Sequence, residues 1–150
     1  MSEPEPTWEN PTSEEIEELL RTARRIAVVG LSSDPGRPSN GVADYLLTHG
    51  YEIVPINPFE VEVLGRKAYP SLKDAPGPFD IVNVFRRSQH APDIVAQAKQ
   101  LGIKTVWLQE DVISPEAFAF GQAAGMTIIM DRCMLKEHLR LIENEKVRED

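Results

Sequence analysis

The chain has 150 residues, 41% hydrophobic and 27% charged, with a formal net charge of −8; this length suits one globular domain that buries about 70% of its unfolded surface. So acidic a chain lacks the positive field that nucleic acid or an anionic membrane requires, and any anionic ligand has to be met by a local group of arginines. A single cysteine, Cys133, excludes an internal disulfide and a multi-cysteine zinc site and fits a reducing compartment. The start shows no basic-then-apolar leader, and no run is apolar for long enough to span a bilayer, so the chain reads as cytoplasmic.

In chain order, residues 1–24 read as a mobile tail rich in Pro and Glu, then a docking helix. Thr12 and Glu15 have capping-box spacing, and Ile16, Leu19 and Leu20 form an apolar stripe. Residues 25–150 read as the domain itself. Apolar runs predict strands at 25–29, 52–56, 80–85, 105–108 and 127–130, continuous enough to be buried on both faces. Helical patterns at 40–49, 91–101 and 115–124 stop at Gly50, Gly102 and Gly125, and Ser114-Pro115 supplies a cap followed by a first-turn proline. A last helix runs from Met134 to about residue 146. Residues 58–78 read as an irregular excursion with one helical turn near 71–74. The alternation predicts an α/β fold: a doubly wound five-stranded parallel sheet in the order 3-2-1-4-5, with helices on both faces.

Such a sheet takes ligands outside the carboxyl ends of its strands, at the switch point, here between the first and fourth strands. The first strand ends at Gly30 and passes through Leu31-Ser32-Ser33-Asp34-Pro35-Gly36-Arg37-Pro38-Ser39-Asn40-Gly41 into a helix. Backbone N–H groups and the helix dipole at such a place suit a phosphate. The spacing is not a standard fingerprint. Ser32 and Pro35 stand where a dinucleotide loop wants glycine, and Gly36 followed by Arg37 does not complete a Walker loop. An ordinary βα connection that binds nothing stays open.

Arg86, Arg87 and Arg132 fall at strand ends on the same rim, joined by Arg37 from the loop, and guanidinium forks match phosphate oxygens. The alternative is four solvated loop arginines. The second strand ends in Asn57-Pro58, where an NAD site usually carries an acid. Asparagine tolerates a phosphorylated ribose that a carboxylate would repel, and the same dipeptide also starts turns.

The strings Ile26-Ala27-Val28-Val29-Gly30-Leu31-Ser32 through Arg37-Pro38-Ser39, Val54-Pro55-Ile56-Asn57-Pro58, Leu64-Gly65, Tyr69-Pro70-Ser71-Leu72, Asp80-Ile81-Val82, Phe85-Arg86-Arg87 and Asp131-Arg132-Cys133 resemble the small stand-alone CoA-binding domain proteins. The likeness covers roughly residues 25–141 and extends to the CoA-binding N-terminal domain of the succinyl-CoA ligase alpha subunit. It implies a Rossmann-like fold with coenzyme A at the switch point. By position, Gly30, Ser32, Ser33, Arg37, Ser39 and Asn40 would surround the diphosphate, and Asn57 and Pro58 would border the adenosine. Phe85 would pack nearby, Arg86 and Arg87 would meet the ribose phosphate or diphosphate, and Gln109 would face the pantetheine channel.

Catalytic residues do not stand out. His49, His90 and His138 lack the paired spacing of a metal site, and Glu14-Glu15 and Glu110-Asp111 lack the separation that acid–base work requires. Cys133 sits beside Arg132 at the start of the last helix, where a thiol can be activated, yet a lone cysteine is also an ordinary packing residue. The reading is a protein that binds CoA or an acyl-CoA as a non-catalytic carrier, sensor or accessory module, with no metal and no nucleic-acid partner. The alternatives are an NAD(P)-binding oxidoreductase or redox-sensing domain, and a ligase or acyltransferase component that needs a partner subunit.

Overall fold

The structure, a computed structural model, describes residues 7–144. Helix α1 (Ser13–Thr22) leads into β1 (Arg25–Val29), then α2 (Pro38–Thr48) and β2 (Glu52–Ile56). A small hairpin of β3 (Glu62–Val63) and β4 (Arg66–Lys67) and a 3-10 turn (Leu72–Asp74) precede β5 (Ile81–Val84). The chain closes with α3 (Ala91–Gln100), β6 (Thr105–Leu108), α4 (Pro115–Ala123), β7 (Thr127–Ile129) and α5 (Met134–His138), which continues as a π-helical turn, Leu139–Glu143. No helix among the described residues is long and apolar enough to cross a membrane.

Successive strand side chains point to opposite faces, so the apolar runs divide into two cores. Ile26, Val28, Ile53, Ile81, Trp107 and Ile129 pack with Ile16, Leu20, Val42, Leu46, Met134 and Leu141 of α1, α2, α5 and the π-turn. Ala27, Val29, Val54, Val82, Val84, Val106, Leu108 and Ile128 pack with Ile94, Val95, Ala98, Ala117 and Phe118 of α3 and α4. The five long strands are all parallel, as expected of runs buried on both sides.

The strand order differs from the expected 3-2-1-4-5. It is β2-β1-β5-β6-β7, so the third long strand lies beside the first and not beside the second. The reason is the excursion after β2. Tyr69 pairs with the outer edge of β2, accepting from Asn57 N–H at 2.8 Å and donating its own N–H to Pro55 O at 3.0 Å, which occupies the place a third strand would take. Asp80 then fastens β5 to β1: its Oδ2 accepts from the amides of Arg24 and Arg25, both at 2.9 Å. The switch point therefore falls between β1 and β5, not between the first and fourth long strands.

Of the expected tail, residues 1–6 lie outside the described residues, while Trp8 and Asn10 find partners on the domain. Trp8 packs on Phe118 at 6.2 Å between ring centroids, and the Asn10 carboxamide makes two 2.8 Å bonds with Met130, donating to its carbonyl and accepting from its N–H. One side chain thus closes the exposed edge beside β7. The helix caps follow the sequence: Thr12 Oγ1 accepts from Glu15 N–H and Ser114 Oγ from Ala117 N–H. The far end of the expected 134–146 helix lies outside the described residues.

Candidate functional site

At the β1/β5 switch point the chain leaves β1 through Gly30, whose φ is +85°. Phe85 extends the neighbouring strand, donating its N–H to Val29 O at 2.9 Å, and a Cβ at Gly30 would stand 2.4 Å from Phe85 O. Only glycine fits a left-handed φ at so close an approach. The sheet itself demands this glycine, and the opening beside it is what a ligand could use.

The loop is braced from within. Ser39 Oγ accepts from Ser32 N–H at 3.0 Å, Ser32 Oγ accepts from Asp34 N–H at 3.0 Å, and the Asn40 amide donates to Ser32 O. Each serine hydroxyl accepts in these bonds, so its own proton remains available to donate. Asn57 also supports the loop: its Nδ2 donates to Leu31 O and its Oδ1 accepts from Phe59 N–H, both at 3.0 Å. Ser33 turns away from the other hydroxyls and donates to Glu60.

Above this loop lies a cleft of about 610 Å³. Six of the sequence-predicted site residues line it: Gly30, Ser32, Arg37, Ser39, Phe85 and Gln109. Pro58 and Arg86 line a separate hollow of about 210 Å³ with Ser71 and His90. Ser33, Asn40, Asn57 and Arg87 line neither. Expectation placed the arginines in one group; the switch point divides them, with Arg37 on the α2 side and Arg86 on the α3 side.

Arg21, Arg25 and Arg140 each pair with a glutamate, whereas Arg37, Arg86, Arg87 and Arg132, like Arg24 and Arg66 elsewhere on the surface, pair with no carboxylate among the described residues. In a chain of net charge −8, unneutralised guanidinium groups at one rim make a local positive field. The opposite end of the cleft carries Glu110, bridged to Lys136 at 2.8 Å, and Asp111. The two ends of the cleft therefore differ in charge, with a guanidinium at one and carboxylates at the other.

Sequence reasoning missed Asn83. It sits in the middle of β5, fully buried, in register with Val28 and Trp107 and so under the α2 and α5 face. Its Oδ1 accepts from Gln109 Nε2, while its Nδ2 has no partner among the described residues. An unsatisfied buried donor costs about 1–3 kcal/mol. The signal was a polar residue inside the apolar run Ile81-Val82-Asn83-Val84.

Cys133 lines the cleft and is partly buried, but none of the three histidines does. His138 is buried instead at the other end of the sheet, where its Nδ1 meets Tyr45 OH at 2.8 Å and its ring contacts those of His49 and Tyr51.

A family model described as a CoA binding domain matches residues 24–139. Among curated proteins, an uncharacterised Bacillus subtilis protein, YneT, is 43% identical over 130 residues, covering 87% of this chain and 96% of that one. The alpha subunit of an ADP-forming acetate–CoA ligase from Pyrococcus furiosus is 30% identical over 95 residues, 59% of this chain and 21% of the subunit. Among solved structures, a hypothetical protein from Pyrococcus horikoshii superimposes with a TM-score of 0.86 at 42% identity, covering 95% of this chain and 99% of that one. An acetyl-coenzyme A synthetase from Korarchaeum cryptofilum does so with a TM-score of 0.63 at 25% identity, covering 75% of this chain and 27% of that one. With the model matched from residue 24 to residue 139, this chain belongs to the CoA-binding domain family and is related to the CoA-binding part of acetate–CoA ligases.

Proposed function

We propose that the protein binds coenzyme A or an acyl-CoA at the carboxyl ends of its parallel strands, as a non-catalytic carrier, sensor or accessory module. The observation that carries this reading is the polarised cleft at the switch point. Its loop end holds Arg37, unpaired with any carboxylate among the described residues, beside two serine hydroxyls free to donate, and its other end carries Gln109, Asp111 and a Glu110 already paired with Lys136. That polarity suits a ligand with a diphosphate and an uncharged arm. The diphosphate lies against Ser32, Arg37 and Ser39, and the pantetheine arm runs past Phe85 towards Gln109. The adenosine turns the other way, over Gly30 towards Pro58 and Arg86, with Asn57 holding the loop rather than the ribose.

Calorimetric titration with CoA, NAD and NADP tests the assignment. CoA should bind most tightly of the three, and tighter binding of NAD or NADP would restore the oxidoreductase reading. A second reading, a ligase component acting with a separate subunit, is favoured by the match to ligase subunits of which this chain spans about a fifth. Steady release of free thiol from acetyl-CoA by the isolated protein would promote a catalytic role over the carrier reading.

A further inference from the structure

We propose that the hollow at the amino-terminal ends of β1 and β2, opposite the switch point, is a second ligand site, and that it takes a small organic monocarboxylate through Arg24. The inference goes beyond the functional reading above and does not depend on it.

The hollow measures about 600 Å³, against about 610 Å³ for the cleft at the switch point. Helix α1 and its exit give it Leu20 and Arg24, the end of α2 gives His49, the approach to β2 gives Tyr51, and α5 with its π-turn gives His138 and Ile142. A sheet end closed for stability alone is best plugged with aliphatic side chains, because a buried imidazole or phenol has to recover its lost hydration. Here two polar rings, Tyr51 and His138, line the hollow while each is more than nine-tenths buried. Directly after His138 the chain also leaves regular α geometry: Leu139–Glu143 is a π-helical turn, a rare form that occurs frequently at functional sites, and it supplies Ile142 and Glu143 to the wall.

Arg24 sets the ligand chemistry. Its guanidinium is held rather than loose: Nη1 donates to Arg21 O at 2.8 Å and to Ala23 O at 2.9 Å, closing the end of α1. The Nε and Nη2 edge is left without a partner among the described residues. That edge is a fork of two N–H donors that matches a carboxylate, and a fork already fixed in place loses less freedom on binding. Burial raises the Tyr51 phenol while the charges of Arg24 and Arg21 pull it back, so both cations stand close to a ring that lines the hollow. Charge limits the ligand to a single negative group. Arg21 shares its charge with Glu17 at 3.3 Å, and Glu143 stands on the wall, so a dianion would meet repulsion that Arg24 alone does not offset. Leu20 and Ile142 supply apolar surface for the body of the molecule.

Amide-shift titrations of the ¹⁵N-labelled protein test the proposal, with benzoate as the probe, benzamide as its neutral counterpart and inorganic phosphate as an anion without an apolar body. Benzoate should saturate with a Kd of about 1 mM and move His49, Tyr51 and His138, whereas benzamide and phosphate should leave those residues still. Arg24→Lys keeps the charge but lacks the fork, and should weaken benzoate by roughly tenfold or more; Arg24→Gln should abolish saturation. No saturable shift with benzoate, an equal response to benzamide or phosphate, or wild-type affinity in Arg24→Lys would overturn the proposal. Benzoate shifts gathered instead on Ser32, Arg37 and Ser39 would overturn it as well, by moving the carboxylate to the switch point. Should the Arg24 variants fail to fold, the comparison of the three probes on wild type still decides.

Discussion

Gly30→Ala tests the geometry at the switch point most sharply, because a single methyl group meets two separate obstacles. Its φ of +85° is a conformation that L residues enter at a cost of about 1–2 kcal/mol. The new Cβ would also stand 2.4 Å from Phe85 O and 3.2 Å from Arg86 Cδ. The arginine is a flexible chain and can yield, but the Phe85 carbonyl belongs to backbone paired with β1, and relieving such an overlap costs about 1–3 kcal/mol. Together these give a loss of about 2–5 kcal/mol, or a fall of roughly 4–20 °C in melting temperature for a domain of this size. Thermal denaturation followed by far-ultraviolet circular dichroism measures it. Gly41→Ala is the control: nothing lies within 4 Å of a Cβ there and the residue is in the first turns of α2, so the midpoint should hold or rise. A Gly30→Ala midpoint within about 2 °C of wild type would refute the close approach of β1 and β5 as the reason for this glycine.

Asn10→Ala removes both bonds to Met130 and should cost about 1–3 kcal/mol in urea denaturation; an unchanged midpoint would mean that the N-terminal segment is not docked. Arg86→Gln should weaken CoA by roughly 10- to 100-fold and bring it level with dephospho-CoA, if this unpaired guanidinium meets the ribose phosphate; equal affinities for the two ligands in wild type would remove that role. Cys133→Ser should retain CoA binding within a few fold, and a stoichiometric acyl group trapped on Cys133 would contradict a non-catalytic site. Burial raises the Tyr51 phenol above its ordinary value of 10.0. A raised folded pKa contributes stability that is complete below pH 10 and lost as the pH climbs through the folded value, so wild type should lose stability above pH 10 more steeply than Tyr51→Phe. Parallel alkaline curves for the two proteins would contradict that burial.

The elements were legible because their signals are local. The continuous runs at β1, β2, β5, β6 and β7 could only be strands covered on both faces, and Thr12 and Ser114 cap the helices they were expected to cap. Strand order was not legible, because it depends on Tyr69 finding the edge of β2 across an irregular excursion, and no periodicity records such a pairing. The contact of Asn10 was not legible for a similar reason: its partner, Met130, lies 120 residues away. At the site, residue types placed the arginines at the carboxyl ends of the strands but not on the two sides of the switch point. Ser39, Asn40 and Asn57 read as ligand contacts, and the structure shows them first as braces that hold Ser32 and Leu31 in place. Asn83 was visible as a polar interruption of an apolar strand, but its meaning needed the position of Gln109.

Amide chemical-shift mapping of the ¹⁵N-labelled protein during a CoA titration tests the central claim most directly, since it reports both binding and place. Saturable shifts should gather on Gly30, Ser32, Arg37, Ser39, Phe85 and Gln109, and leave the His49, Tyr51 and His138 end of the sheet undisturbed. Saturable shifts confined to that opposite end, or none with CoA beside clear ones with NAD, would contradict the account.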